Sequence, residues 1–147
     1  MRRSTIVDTT ARLIFHSAMV FSLYLLFAGH NAPGGGFAGG LVAGTAVAIH
    51  YVAGGVDDVR TITRVRPWTV LGAGLTLAAV VALVPLALDG SVLAAGYREL
   101  DVPVLGAVKL SSVLAFDIGV YAVVFGLVTM LFEAFGDEAL PADEADR

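Results

Sequence analysis

The chain contains no cysteine, which excludes disulfides, thiolate metal sites and cysteine nucleophiles. Charge is scarce as well: 15% of its 147 residues are charged, where a soluble domain carries about a quarter. The few charges are segregated. Residues 1–135 hold eight basic and eight acidic side chains, and residues 136–147 hold five acidic side chains and one arginine, so the net charge of −4 belongs to the C-terminal end. No basic patch is present, so nothing points to a nucleic-acid partner. No paired carboxylates share a face, no Ser-His-Asp arrangement occurs, and no haem or flavin motif is found, so neither an enzyme nor a cofactor is expected. The three histidines, His16, His30 and His50, lie on different segments without metal-ligand spacing, and no metal is expected.

What the chain has instead is apolar length. Hydrophobic residues make up 57% of it, and the mean hydropathy is +0.83. Four runs stand out: LIFHSAMVFSLYLLFAG, FAGGLVAGTAVAIHYVAGGV, WTVLGAGLTLAAVVALVPLAL and LSSVLAFDIGVYAVVFGLVTMLF. Each is near the roughly 20 residues that cross about 30 Å of hydrocarbon at 1.5 Å per residue. None alternates with period two, as a barrel strand must. The expectation is an all-α polytopic membrane protein with transmembrane helices over about 6–29, 36–56, 68–88 and 109–133, followed by an acidic, disordered tail over 136–147. A signal peptide is a poor reading of the first run, because Asp8 and Arg12 interrupt its start and AGH is a poor cleavage site. Arg98, Glu99 and Asp101 argue against a fifth span between 92 and 108. Arg2, Arg3 and Arg12 precede or begin the first run, and Arg60, Arg64 and Arg66 separate the second from the third. Only Arg98 and Lys109 fall on the opposite side, so both termini are expected to be cytoplasmic.

Between the first two runs stands HNAPGGGF, from His30 through Asn31 and Pro33 to Gly34, Gly35, Gly36 and Phe37. A phosphate cradle would need a lysine and a Ser/Thr after the glycines, or a strand before them; neither is present. A tight connection fits better. Gly29 can end the first helix, Pro33 cannot donate a helical hydrogen bond, and glycine tolerates positive φ. Gly36, Gly40 and Gly44 then form GxxxGxxxG, with Gly35, Gly39 and Ala43 on the adjacent row. Such a face lets helix backbones pack closely in lipid, so the second helix is expected to be a contact helix, its partner unspecified.

GHNAPGGGFAGGLV closely resembles the signature of the MrpB (MnhB) family, and LSSVLAFDIGVYAVVFG resembles that family's final helix. The resemblance covers roughly Thr10 to Phe132. It implies a small membrane subunit of the multisubunit sodium/proton antiporter, which exchanges cytoplasmic Na+ or Li+ for external H+ at the expense of the proton motive force. The implied location is the prokaryotic plasma membrane. The implied partners are the other antiporter subunits, including large ones related to the proton-pumping subunits of respiratory complex I.

An ionisable group at mid-membrane costs about 2.5–3.5 kcal/mol on insertion scales and calls for a reason. Asp117 stands about seven residues, or roughly 10 Å, inside the last helix. It is either a protonatable or cation-binding group, or a structural acceptor capping the glycine face of the second helix. Lys109 lies two turns earlier, somewhat rotated. His16 shares a stripe with Asp8 and Arg12, which are expected to pair; one turn deeper, His16 is either a proton relay or a structural side chain. Asp117, His16 and Lys109 are thus the candidate proton or cation path. The competing reading is a small self-assembling four-helix proton-coupled transporter. Such an exporter would carry a deep carboxylate in its first helix, and this chain has none there.

Overall fold

The computed structural model describes residues 5–29, 33–63, 65–87, 97–102 and 106–138. Among these, five helices and one hairpin follow in order: α1 (Thr5–Ala28), α2 (Gly36–Gly54), α3 (Val56–Ile62), α4 (Pro67–Ala87), β1 (Tyr97–Val102), β2 (Gly106–Ser111) and α5 (Ser112–Glu138). Four of the helices, all but α3, contain stretches of 19–25 residues long and apolar enough to cross a membrane. This matches the expected helical architecture.

The start of α1 and the end of α5 share one side of the layer, with α3. The glycine turn and the hairpin share the other, here called the turn side. Across the layer the order is α1, α2, α5, α4: α2 packs on both α1 and α5, and α4 makes its extended contacts with α5. Neighbouring residues fix the directions. Gly36 lies against Asp117 and Gly44 against Val128, so α2 and α5 run parallel. Gly119 meets Ala78 and Gly126 meets Leu71, so α4 and α5 run antiparallel.

The core is made of small side chains. Ala43, Ala46, Val47 and Val59 are buried, while the largest fully buried side chains are Val47, Val59, Thr129 and Ser22. Leu13, Phe27, Leu75 and Leu83 are exposed on the outside of the helices. That inversion suits a bilayer, where lipid solvates leucine and phenylalanine as well as a core would, and only small residues let backbones approach.

Helix ends follow local chemistry. Gly55, at φ 79°, separates α2 from α3, and the acidic pair Asp57 and Asp58 opens α3 while Arg60 stands in its last turn. Both placements complement the helix dipole. Pro67 opens α4, where its missing N–H costs nothing, and the Arg66 guanidinium lies 5.4 Å from the centroid of the Trp68 ring. A cation over an amphipathic aromatic is the chemistry of a membrane boundary.

Two boundaries depart from expectation. The second span stops at Gly54 rather than near 56, because the chain breaks at Gly55 to begin α3. The last helix begins at Ser112 rather than 109, because residues 106–111 pair antiparallel with 97–102, placing Glu99 opposite Lys109. Pairing on that strand ends at Val102, opposite Gly106. The stretch from Leu110 reads on without a break signal into the apolar run that begins at Val113, and a short stretch of this kind fits either period. At its other end α5 continues through Glu138, into the first residues of the segment expected as a tail. Residues 139–147 lie outside the described residues.

Candidate functional site

The chain reverses tightly between α1 and α2. The Gly35 amide donates to the Leu25 carbonyl at 2.9 Å, and Gly35 itself has φ 97°, a conformation that L side chains avoid. Space is equally short. A Cβ on Gly29 would overlap the Gly35 backbone, and one on Gly34 would stand 2.6 Å from the Leu25 oxygen. Pro33 and Gly34 are exposed at the turn, and Phe37 is 61% exposed. His30 and Asn31 lie outside the described residues.

From Gly36 onward the glycine row is buried against α5. A Cβ on Gly36 would overlap the Asp117 carbonyl oxygen; one on Gly40 would lie 2.8 Å from Val124 Cβ, and one on Gly44 2.9 Å from Val128 Cγ1. The partner left open by the sequence is therefore α5. The adjacent row serves α1. A Cβ on Gly39 would lie 2.8 Å from the Ser22 oxygen and 3.2 Å from the Tyr121 ring. Through that gap the Tyr121 hydroxyl crosses α2 and shares a hydrogen bond of 2.7 Å with the fully buried Ser22 hydroxyl.

Asp117 stands where turn and seam join. The first amides of α2 have no intrahelical acceptors, and Gly35 offers no side-chain cap. The Asp117 carboxylate lies at this end: a Cβ built on Gly35 would be 3.5 Å from Oδ2 and 3.6 Å from Oδ1. An anion at a helix N-terminus gains about 0.3–1 kcal/mol from the dipole. The carboxylate is half-buried, and among the described residues no hydrogen bond or ion pair reaches it. Because α5 begins at Ser112, Asp117 sits in the second turn of its helix, nearer the helix start than the sequence implied.

The other candidates are not gathered there. His16 is exposed on α1, and its Nδ1 contacts the Arg12 carbonyl oxygen at 2.6 Å. It lies nine residues from Leu25, about 14 Å along the helix from the turn. The Asp8 side chain, and with it the expected Asp8–Arg12 pair, lies outside the described residues. Lys109 belongs to β2, not to the helix of Asp117, so helical spacing does not relate the two. No group of three metal-ligating side chains occurs among the described residues.

Several groups escaped the sequence reading. Ser22 looked like one more small residue in an apolar run, and only the three-dimensional path of Tyr121 makes it a partner. A second close seam joins α4 to α5: Cβ atoms on Gly74 and Gly119 would stand 2.7 Å and 2.8 Å from the facing helix. The signal was available, since Gly119 and Gly126 are seven residues apart and share a face. His50 is buried, and its Nε2 has no hydrogen-bond partner among the described residues.

Comparison with known proteins agrees with this geometry. The family model for a domain related to the MnhB subunit of the Na+/H+ antiporter matches residues 6–130. The B-type Na+/H+ antiporter subunit of Bacillus subtilis (strain 168) is 34% identical over 133 residues, covering 90% of this chain and 93% of that protein. Its counterpart in Alkalihalophilus pseudofirmus is 31% identical over 136 residues, covering 90% and 92%. In the structure of the Mrp complex from Dietzia sp. DQ12-45-1b, a chain 34% identical superposes with a TM-score of 0.77 over 92% of this chain, which spans 14% of that longer one. The glycine turn, the parallel α2–α5 seam and a match over 6–130 together place the chain in the family of the MnhB subunit of Na+/H+ antiporters.

Proposed function

We propose that this chain works as the B-type integral-membrane subunit of a multisubunit antiporter exchanging Na+ or Li+ for H+ across a prokaryotic plasma membrane, with both termini cytoplasmic. Its partners are the other antiporter subunits, the large complex-I-like ones among them, and it needs no cofactor of its own. The observation that carries the reading is the meeting of the two family motifs at one place, the Asp117 carboxylate against the N-terminus of α2. A half-buried carboxylate beside a helix N-terminus, with no protein cation bonded to it among the described residues, is equipped to accept a monovalent cation or a proton from the turn side. The chain supplies that group and a rigid seam to hold it. Exposed apolar faces on α1 and α4 suit neighbouring subunits and lipid.

Family membership weighs against the self-assembling exporter, and so does the lack of a deep carboxylate in α1. The test is complementation. Cells lacking the chain are expected to lose sodium-dependent proton movement in membrane vesicles, and a tagged copy should restore it and co-purify with large membrane subunits. A tagged copy that purifies only with itself, or exchange that persists without the chain, contradicts the reading.

A further inference from the structure

Beside the start of α4 the chain leaves an open, apolar groove. Phe15 and Met19 of α1, Val65 and Val70 on either side of the α4 start, and Phe125 of α5 line a space of about 410 Å³. Two hydroxyls reach the same wall. Thr63 Oγ1 donates to the Val59 carbonyl at 2.8 Å, and Thr129 Oγ1 donates to the Phe125 carbonyl at 2.9 Å. Both protons are thus spent on backbone, and the groove offers a guest mainly apolar surface.

Its depth follows from the packing. Gly126, on the wall, lies against Leu71, one turn into a helix that opens at Pro67. The groove therefore begins in the hydrocarbon directly beneath the boundary marked by Arg66 and Trp68. Arg66 stands between two lining residues, Val65 and Pro67. It is exposed, its guanidinium lies 5.4 Å from the centroid of the Trp68 ring, and among the described residues no carboxylate pairs with it. A free cation above an apolar slot complements a molecule with an anionic head and a hydrocarbon tail.

We propose that the groove is a phospholipid site, in which one acyl chain lies between α1, residues 63–70 and α5 while the Arg66 guanidinium donates to the phosphate. A planar guanidinium matches two phosphate oxygens at once. Size agrees with a chain as the guest. A methylene is close in size to a water, which takes about 30 Å³ of liquid, so the groove takes up roughly a dozen of them. A helix of a neighbouring subunit, about 10–12 Å across, would fill the same volume with about one turn, and it would leave the Arg66 charge unanswered.

Photolabelling tests this without any transport activity, so its failure is distinct from failure of the subunit reading. The assembled complex is reconstituted with a phosphatidylglycerol that carries a diazirine in one acyl chain, and adducts are mapped by mass spectrometry. Met19 and Phe125 should be labelled. Arg66→Gln should lower that labelling about fivefold, the worth of one cation beside an anionic lipid. A diacylglycerol with the same diazirine, which lacks the phosphate, should show a similar loss on the unaltered chain. Val70→Trp, which fills the groove, should abolish labelling there and leave Leu83, exposed on α4, as it was. If Val70→Trp does not assemble, Arg66→Gln and the diacylglycerol decide. A groove that the probe never labels overturns the proposal, and is the mark of a partner helix seated there. Labelling that neither Arg66→Gln nor loss of the phosphate lowers overturns it too, since the guest would then be any hydrocarbon chain.

Discussion

The two faces of α5 differ in what they hold. Toward α2 it presents Asp117, Tyr121, Val124 and Val128 to a row of glycines, and α1 reaches the same seam through Ser22. Toward α4 it presents Gly119, Ala122 and Gly126, and the contact is extended, built on small apolar residues and made by two helices. Burial follows the same division: 44% of the α2 span is buried within the chain, against 17% of the α4 span. Both seams use missing side chains to bring backbones together. Only the first brings polar groups, Asp117, Tyr121 and Ser22, to the close approach, while α4 packs on α5 with apolar faces turned outward.

That contrast fixes an order of mutational effects. Gly36→Val is expected to be the most damaging, because its side chain would overlap the Asp117 backbone and neither helix can move without breaking the turn. A cost of about 3 kcal/mol or more should appear as loss of assembled complex on a native gel. Gly119→Leu, in the α4–α5 seam, should cost about 1–3 kcal/mol, because α4 has no third helix holding it and can shift outward. Thermal unfolding in detergent should rank it below Gly36→Val, and the reverse order would mean that the α4–α5 seam is the rigid one. Tyr121→Phe removes one interhelical hydrogen bond, worth about 0.6 kcal/mol in membranes. It should lower the melting midpoint slightly without loss of assembly. Phe37→Leu should be nearly silent for stability, because the ring is 61% exposed, which makes any effect on exchange a sign of contact beyond this chain.

Much of this was legible in the sequence, for identifiable reasons. The four spans follow from apolar length, which the bilayer enforces on any sequence that crosses it. The close-packing row of Gly36, Gly40 and Gly44 follows from helical spacing, but its partner does not. Spacing within one helix says nothing about which helix faces it, and the choice of α5 rests on the shape of residues 117–128. The hairpin was hidden because Val108 to Ser111 reads smoothly into the next helix, and with it went the helical relation assumed between Lys109 and Asp117. His16 was legible as a polar group on an apolar helix, yet not as an exposed one, since the hydrophobic pattern of α1 runs all round and marks no inner face. His50 shows the converse. It stands near the end of the second apolar run in the sequence and is buried in the fold, where the Phe15 ring of α1 packs against it.

Asp117→Asn in the whole complex is the most direct test of the polar seam, because it keeps the shape of the side chain and removes its charge. Sodium-dependent proton movement in vesicles would be measured beside assembly on a native gel. The expected result is a fully assembled complex that has lost most of its exchange, since a neutral amide still fits beside Gly35 but can neither take up a proton nor balance a cation. Normal exchange in an assembled complex would contradict this and make Asp117 a structural group in a scaffold.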